Sequence, residues 1–173
     1  LLSGRPINTP GTCVTCVMEG SRPILAEIQA LVAQSGYGSA RRNSNGIDYN
    51  RAMLLLAVLE KRGGMSVSGC DAYINVVGGL QLDEPAADLA TLLAVASSYR
   101  DIPIDSELAA VGEVGLSGEV RSVQQLNLRL SEIARLGFKR CIIPSHVKGD
   151  VLQPGGLELI RVKNVREAIR AAL

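Results

Sequence analysis

The sequence predicts one α/β (α+β) domain, and three observations carry that expectation. β-branched runs alternate with helical stretches late in the chain, as at Lys139–Pro144, Leu157–Val162 and the segment after Asn164. Two stretches, Met53–Leu59 and Ala86–Ala96, are apolar on nearly every face and therefore belong inside a core. Finally, 173 residues of which 47% are hydrophobic suit a single full core. With aromatics at 3% and no Trp, that core is built from Leu, Ile, Val and Ala, and a surface that stacks bases on rings is disfavoured.

The elements follow in order. Residues 1–10, with Gly4, Pro6 and Pro10, read as the end of a linker, and residues 11–173 as the domain. Strands are expected over 11–19 and 22–33, broken at Gly20-Ser21. The first contains Cys13 and Cys16, a C-x-x-C spacing that suggests zinc or redox chemistry. In a strand, however, positions three apart face opposite ways, so the pair reads as two small core residues. Gln34–Gly46 is polar, contains Arg41 and Arg42, and reads as a loop or irregular hairpin. Asp48 can cap a helix running to about Arg62, which Gly63-Gly64 stops. Ala72–Val77 is a short strand and Gly78-Gly79 a tight turn. Asp83 as N-cap, with Pro85 just inside, opens a helix to about Tyr99. Leu108–Val114 is a strand and Gly118–Arg121 a short second one. Ser122 can cap a helix to Leu136 with its apolar stripe at Val123, Leu126, Leu130 and Ile133, and Gly137 ends it. Asn164 caps the last helix.

Net charge is +1, which excludes a global field drawing the chain onto nucleic acid or membrane. The charge is uneven: residues 1–119 hold 8 basic and 13 acidic side chains, and residues 120–173 hold 10 and 4. Solvated helices carry such a bias without function. A chain with four cysteines, no signal peptide and no long apolar run is expected to be cytoplasmic, with free thiols and no membrane partner.

Recognised catalytic patterns are absent. No G-x-x-x-x-G-K-[ST] stretch occurs, so no phosphate loop and no ATP cofactor is expected in this domain. His146, the sole histidine, lies in a polar stretch and does not suggest a Ser-His-Asp triad. Asp83, Glu84 and Asp88 cluster at one helix start, where capping and the helix dipole account for them.

A series of blocks carries a specific resemblance. They are Asp48-Tyr49-Asn50-Arg51, Leu56-Ala57-Val58-Leu59-Glu60-Lys61-Arg62, Asn75-Val76-Val77-Gly78-Gly79, Asp83-Glu84-Pro85-Ala86-Ala87-Asp88-Leu89-Ala90, Ser97-Ser98-Tyr99-Arg100-Asp101 and Gly112-Glu113-Val114-Gly115-Leu116-Ser117-Gly118-Glu119-Val120-Arg121. In this order they resemble the C-terminal Lon-protease-like domain of the RadA (Sms) family of bacterial DNA-repair proteins, from about Leu1 to Pro144. The resemblance implies a Lon-protease-like fold of the ribosomal protein S5 domain 2 group. Lon peptidases use a Ser–Lys dyad. Here Ala86 takes the serine position and Asn127 the lysine position, so the resemblance implies a pseudo-protease. The family's four-Cys zinc motif and RecA-like ATPase are missing from this sequence, so ATP, Mg and Zn are expected only in those domains.

The implied role is assembly of a homo-oligomer, a hexameric ring, with weak DNA binding through that ring during recombination and branch migration. Candidate DNA-binding residues are Arg41, Arg42, Lys139 and Arg140. Arg51, Arg121 and Arg129 are expected in salt bridges within or between subunits. One alternative is a purely structural oligomerisation domain without DNA contact. The other is a serine peptidase with a relocated dyad, drawing on Ser97 or Ser117 and on Lys61, Lys139, Lys148 or Lys163.

Overall fold

The chain doubles back at Gly20, and the two strands on either side, β1 (Thr12–Glu19) and β2 (Arg22–Gln34), pair in an antiparallel hairpin at the middle of one large sheet. This computed structural model describes residues 2–36 and 38–173; Leu1, in the expected linker, and Tyr37, in the expected polar loop, lie outside them. The remaining strands of the sheet are β3 (Arg42–Asn45), β4 (Cys70–Val76), β5 (Leu108–Ala110), β8 (Arg140–Pro144) and β9 (Glu158–Val162). Their order is β3-β4-β2-β1-β5-β8-β9. Only β2 runs against the rest, so the sheet is mostly parallel. A separate small hairpin joins β6 (Glu113–Val114) to β7 (Val120–Arg121).

Helices α1 (Tyr49–Lys61), α2 (Asp88–Arg100) and α4 (Val165–Ala172) lie on one face of the sheet, and α3 (Leu126–Arg135) lies on the other. As its uniform apolarity predicts, α2 is the central helix, buried continuously from Asp88 to Ser97. α1 is more one-sided than its sequence suggests, because Ala57 is exposed and Met53 and Leu54 are only half-buried. Asp48 caps α1 by accepting the Arg51 N–H, and Asn164 caps α4 by accepting that of Glu167, as expected.

Alternation along β1 sends Cys13 into the core beneath α2 and Cys16 into the core beneath α3. Burial pushes both thiols up to about 12. Both should therefore resist alkylation at neutral pH and react only on unfolding, as peptide mapping after iodoacetamide treatment would read. The sign for stability follows: their contribution is complete below pH 9, the ordinary value, and is lost as pH rises towards about 12. Labelling of either thiol at the rate of a free peptide thiol in the folded protein would contradict this.

Four expectations need correction. The polar stretch Gln34–Gly46 is not loop throughout, since Arg42–Asn45 forms the edge strand β3, parallel to β4. A carboxylate oxygen of Asp71 starts the pairing by accepting the Arg41 N–H at 2.7 Å. Its side chains are all polar and only Arg42 and Ser44 are half-buried, so no apolar period shows. Second, Leu108–Val114 is two strands. The chain bends at Gly112, where a Cβ would sit 2.8 Å from Val120 Cγ1. Third, Asp83 caps nothing: Pro85–Ala87 forms a 3₁₀ turn ahead of α2, with no side-chain cap at either start. Fourth, α3 begins at Leu126 and not near Ser122, because Gln125 adopts a left-handed conformation at φ 58° that stops the helix extending backwards.

Candidate functional site

The segment Asp83–Asp88 crosses from the end of β4 to α2, past the ends of the parallel strands. Crevices outside the carboxyl ends of such strands are the usual place for sites in open α/β sheets. Here that crevice is a cleft of about 870 Å³ whose lining includes Ala86, Asn127, Glu84, Gln125, Lys148 and Asp150. The two positions expected to carry a degenerate dyad are thus brought together in one cleft.

Ala86 is buried, and its carbonyl accepts the Gly112 N–H at 3.1 Å. Its methyl group offers no nucleophile. Asn127 stands in the first turn of α3, and both ends of its amide are occupied. Nδ2 donates to the Asp150 carbonyl at 3.0 Å and Oδ1 accepts the Leu152 N–H at 2.9 Å. The side chain therefore fastens the 150–152 loop to α3 as a neighbouring strand would. A lysine carries three donors and no acceptor, so it could not make the second bond.

Two ion pairs brace the same segment. Arg129, 3% exposed, pairs with Glu84, 26% exposed. Its Nη1 also donates to the Cys16 carbonyl at 2.9 Å, and its Nε to the Gln124 carbonyl at 2.8 Å. Glu84 in turn accepts the Met18 N–H at 3.0 Å. One guanidinium thus ties α3, the loop before it and the end of β1 to the motif. At the other end of the segment, Asp88 with a side chain 4% exposed pairs with Arg51 at 32%. Asp88 also accepts the Val114 N–H at 3.0 Å, and Arg51 donates to the Val114 carbonyl at 3.1 Å. Donating hydrogen bonds to the Asp88 carboxylate raises Arg51 above the ordinary arginine value. Glu84 and Asp88 are therefore anchors for arginines rather than helix caps.

Arg51 and Arg129, expected in salt bridges, make them within the chain, as does Arg121 with Glu119 at 3.1 Å. The sequence signal for Arg129 was available: it falls between Leu126, Leu130 and Ile133 on the stripe that α3 buries.

The basic candidates lie away from the cleft. Arg42 and Arg140 open β3 and β8, which run in the same direction, so both pairs stand at the opposite end of the sheet. Five strand spacings separate them, about 24 Å. Arg41 and Lys139 are exposed. Arg42 donates to the Val67 carbonyl at 2.7 Å and the Ser68 carbonyl at 3.1 Å, and Arg140 pairs with Asp105 at 3.1 Å. The Asp105 carboxyl is held below the usual range by the Glu107 N–H and then by Arg140.

Of the groups for a relocated dyad, Ser97 is fully buried, and its Oγ accepts the Gly11 N–H at 2.9 Å. Ser117 lies in the β6–β7 turn. Lys148 lines the cleft, as does Ser122. His146 is exposed on the loop after β8. Among the described residues no group of three or more His, Cys, Asp or Glu is placed to hold a metal, and no helix is long and apolar enough to cross a membrane.

Residues 67–173 match the Lon protease (S16) C-terminal proteolytic domain family. The chain is 49% identical over 172 residues to the DNA repair protein RadA of Bacillus subtilis (strain 168), across 99% of this chain and 38% of that protein. It is 47% identical over 163 residues to RadA of Synechocystis sp. (strain PCC 6803), across 94% of this chain and 32% of that one. With RadA of Streptococcus pneumoniae (strain R6) the identity is 44% over 160 residues, across 92% and 38%. The chain therefore spans well under half the length of these relatives. The matched family, the mostly parallel α/β sheet and the extent of these likenesses agree, and the chain belongs to the Lon protease C-terminal domain family, in its RadA-type, Lon-like form.

Proposed function

We propose that the chain is a non-catalytic domain of a longer DNA-repair protein of the RadA type, supporting a hexameric ring and DNA binding during recombination and branch migration. The observation that carries this reading is the state of the cleft. Ala86 supplies no nucleophile, and Asn127, where a general base is needed, spends its amide on the 150–152 loop. The RadA names of the relatives support the repair role. ATP hydrolysis and zinc binding belong to the parts of the full-length protein outside this chain.

The peptidase test is cleavage of an unstructured protein substrate together with a serine-reactive probe. No cleavage and no labelling are expected. Steady cleavage with labelling of Ser122, which shares the cleft with Lys148, would overturn the reading. In Asn127→Lys the two bonds to the loop are lost, at about 1 kcal/mol each. Hydrogen exchange at Asp150–Leu152 should rise accordingly.

DNA binding is proposed to run through the end of the sheet that carries Arg41 and Lys139. In a ring, one weak basic rim repeats around the subunits and binds a polyanion by multivalency. The side chains of Arg42 and Arg140 are engaged within the chain, so Arg41→Ala and Lys139→Ala are the cleaner probes. In the full-length protein each should weaken DNA binding alike for unrelated sequences and lower the salt slope by about 1 for every phosphate it no longer neutralises. Thermal melts should stay within about 0.5 kcal/mol of the parent. Unchanged affinity and slope in both variants would leave a purely structural oligomerisation domain.

A further inference from the structure

The sequence holds seven asparagines, and Asn45 is the one followed by a glycine. That pairing has a chemical consequence. A backbone nitrogen can attack the carboxamide of the residue before it, and the β-carbon of the attacking residue is the main obstacle. Glycine has none. Each of the other six asparagines precedes a residue that carries one. Asn127 and Asn164 also have their side chains engaged in hydrogen bonds.

The fold leaves both reacting groups of Asn45-Gly46 free. Asn45 ends the edge strand β3 and is exposed. Gly46 lies just past the last rung of the ladder to β4. Neither the Asn45 carboxamide nor the Gly46 N–H makes a hydrogen bond among the described residues. The position also demands glycine. Gly46 has φ +90°, and a Cβ there would stand 2.6 Å from the Leu80 carbonyl oxygen and from Val76 Cβ. Packing therefore excludes the bulkier successor that would shield Asn45.

The bonds just beyond the pair hold the approach to the cleft. The Gly46 carbonyl accepts the Leu82 N–H at 2.7 Å, and Ile47 bridges to Leu82. The Ser44 hydroxyl donates to the Ile47 carbonyl at 2.8 Å. Leu82 leads directly into the Asp83–Asp88 segment.

We infer that Asn45-Gly46 is a site of spontaneous covalent modification: deamidation through a cyclic imide, with water as the co-reactant. The Gly46 nitrogen gives its proton to solvent and bonds to Asn45 Cγ, and the side-chain amide nitrogen takes a proton and leaves as ammonia. Water then opens the ring. Breaking the bond between Cγ and nitrogen leaves aspartate on an unchanged backbone. Breaking the bond between the backbone carbonyl carbon and nitrogen leaves isoaspartate, whose main chain is one methylene longer. Net, water is consumed and ammonia released. Either product places a new negative charge at the end of β3. Isoaspartate also displaces Gly46 from its register with Leu82.

The test incubates the folded full-length protein at mildly alkaline pH and follows its peptides by mass spectrometry, with isoaspartate identified by fragmentation. The amide-to-acid mass shift is expected first at Asn45, and faster as pH rises, because the attacking nitrogen must lose its proton. Asn45→Ser should remove that shift and leave the other asparagines as slow as before. In the isoaspartate fraction, hydrogen exchange at the Leu82 amide should rise as its bond to Gly46 is lost. Modification of another asparagine first in the folded protein would overturn the inference. So would an intact Asn45 in the folded protein while the guanidinium-unfolded chain is modified there. Unchanged exchange at Leu82 in the isoaspartate fraction would overturn the link to the cleft.

Discussion

Replacing Glu84 by alanine is expected to lower the unfolding free energy by about 3–5 kcal/mol, the cost of leaving one member of a buried ion pair alone. For a domain of this size that is a fall in melting temperature of roughly 6–20 °C. Arg129 is 3% exposed, so removing Glu84 leaves its guanidinium as an almost buried charge without its counter-ion. It keeps its bonds to the Cys16 and Gln124 carbonyls, but these do not neutralise the charge. The Met18 N–H loses its acceptor as well. Glu84→Gln keeps the shape and two acceptor sites on the amide oxygen, so it should cost less and separates charge from geometry. Glu84→Ala combined with Arg129→Met removes both charges and should recover part of the loss, because an apolar replacement of a buried pair is often tolerated. Chemical denaturation of the three variants checks the order. Equal stability of Glu84→Ala and the parent would mean that water reaches Arg129.

The reasons why parts of this site were legible in the sequence are physical. Ala86 and Asn127 could be placed because they occupy fixed positions in motifs, and the fold brings both into one cleft. The buried helix α2 was visible because apolarity on every face of a helix too short to cross a membrane places it in a core. β3 was hidden because a four-residue edge strand of Arg, Asn and Ser has no hydrophobic period to display. The roles of Glu84 and Asp88 were hidden for another reason. A carboxylate near a helix start has a sufficient local explanation in the helix dipole. The partners that displace that explanation are Arg129, 45 residues away, and Arg51, 37 residues away. Long-range pairing of this kind leaves no local trace, apart from a charge such as Arg129 on an apolar stripe.

Arg51→Ala is the second substitution with a large effect, and it differs from the first in which partner is left behind. The buried partner here is the acid: the Asp88 side chain is 4% exposed and Arg51 32%. Removing Arg51 strands a carboxylate that retains only the Val114 N–H, and about 3–5 kcal/mol is expected to be lost at neutral pH. Arg51→Ala combined with Asp88→Asn removes the stranded charge and should recover part of the loss. Arg51→Lys keeps one charge but not the two-pronged geometry, so it should cost less than alanine. Urea melts of the parent and the three variants at neutral pH check the order. Equal stability of Arg51→Ala and the parent would mean that Asp88 finds solvent when its arginine is removed, and that this end of the motif is less closed than its 4% exposure indicates.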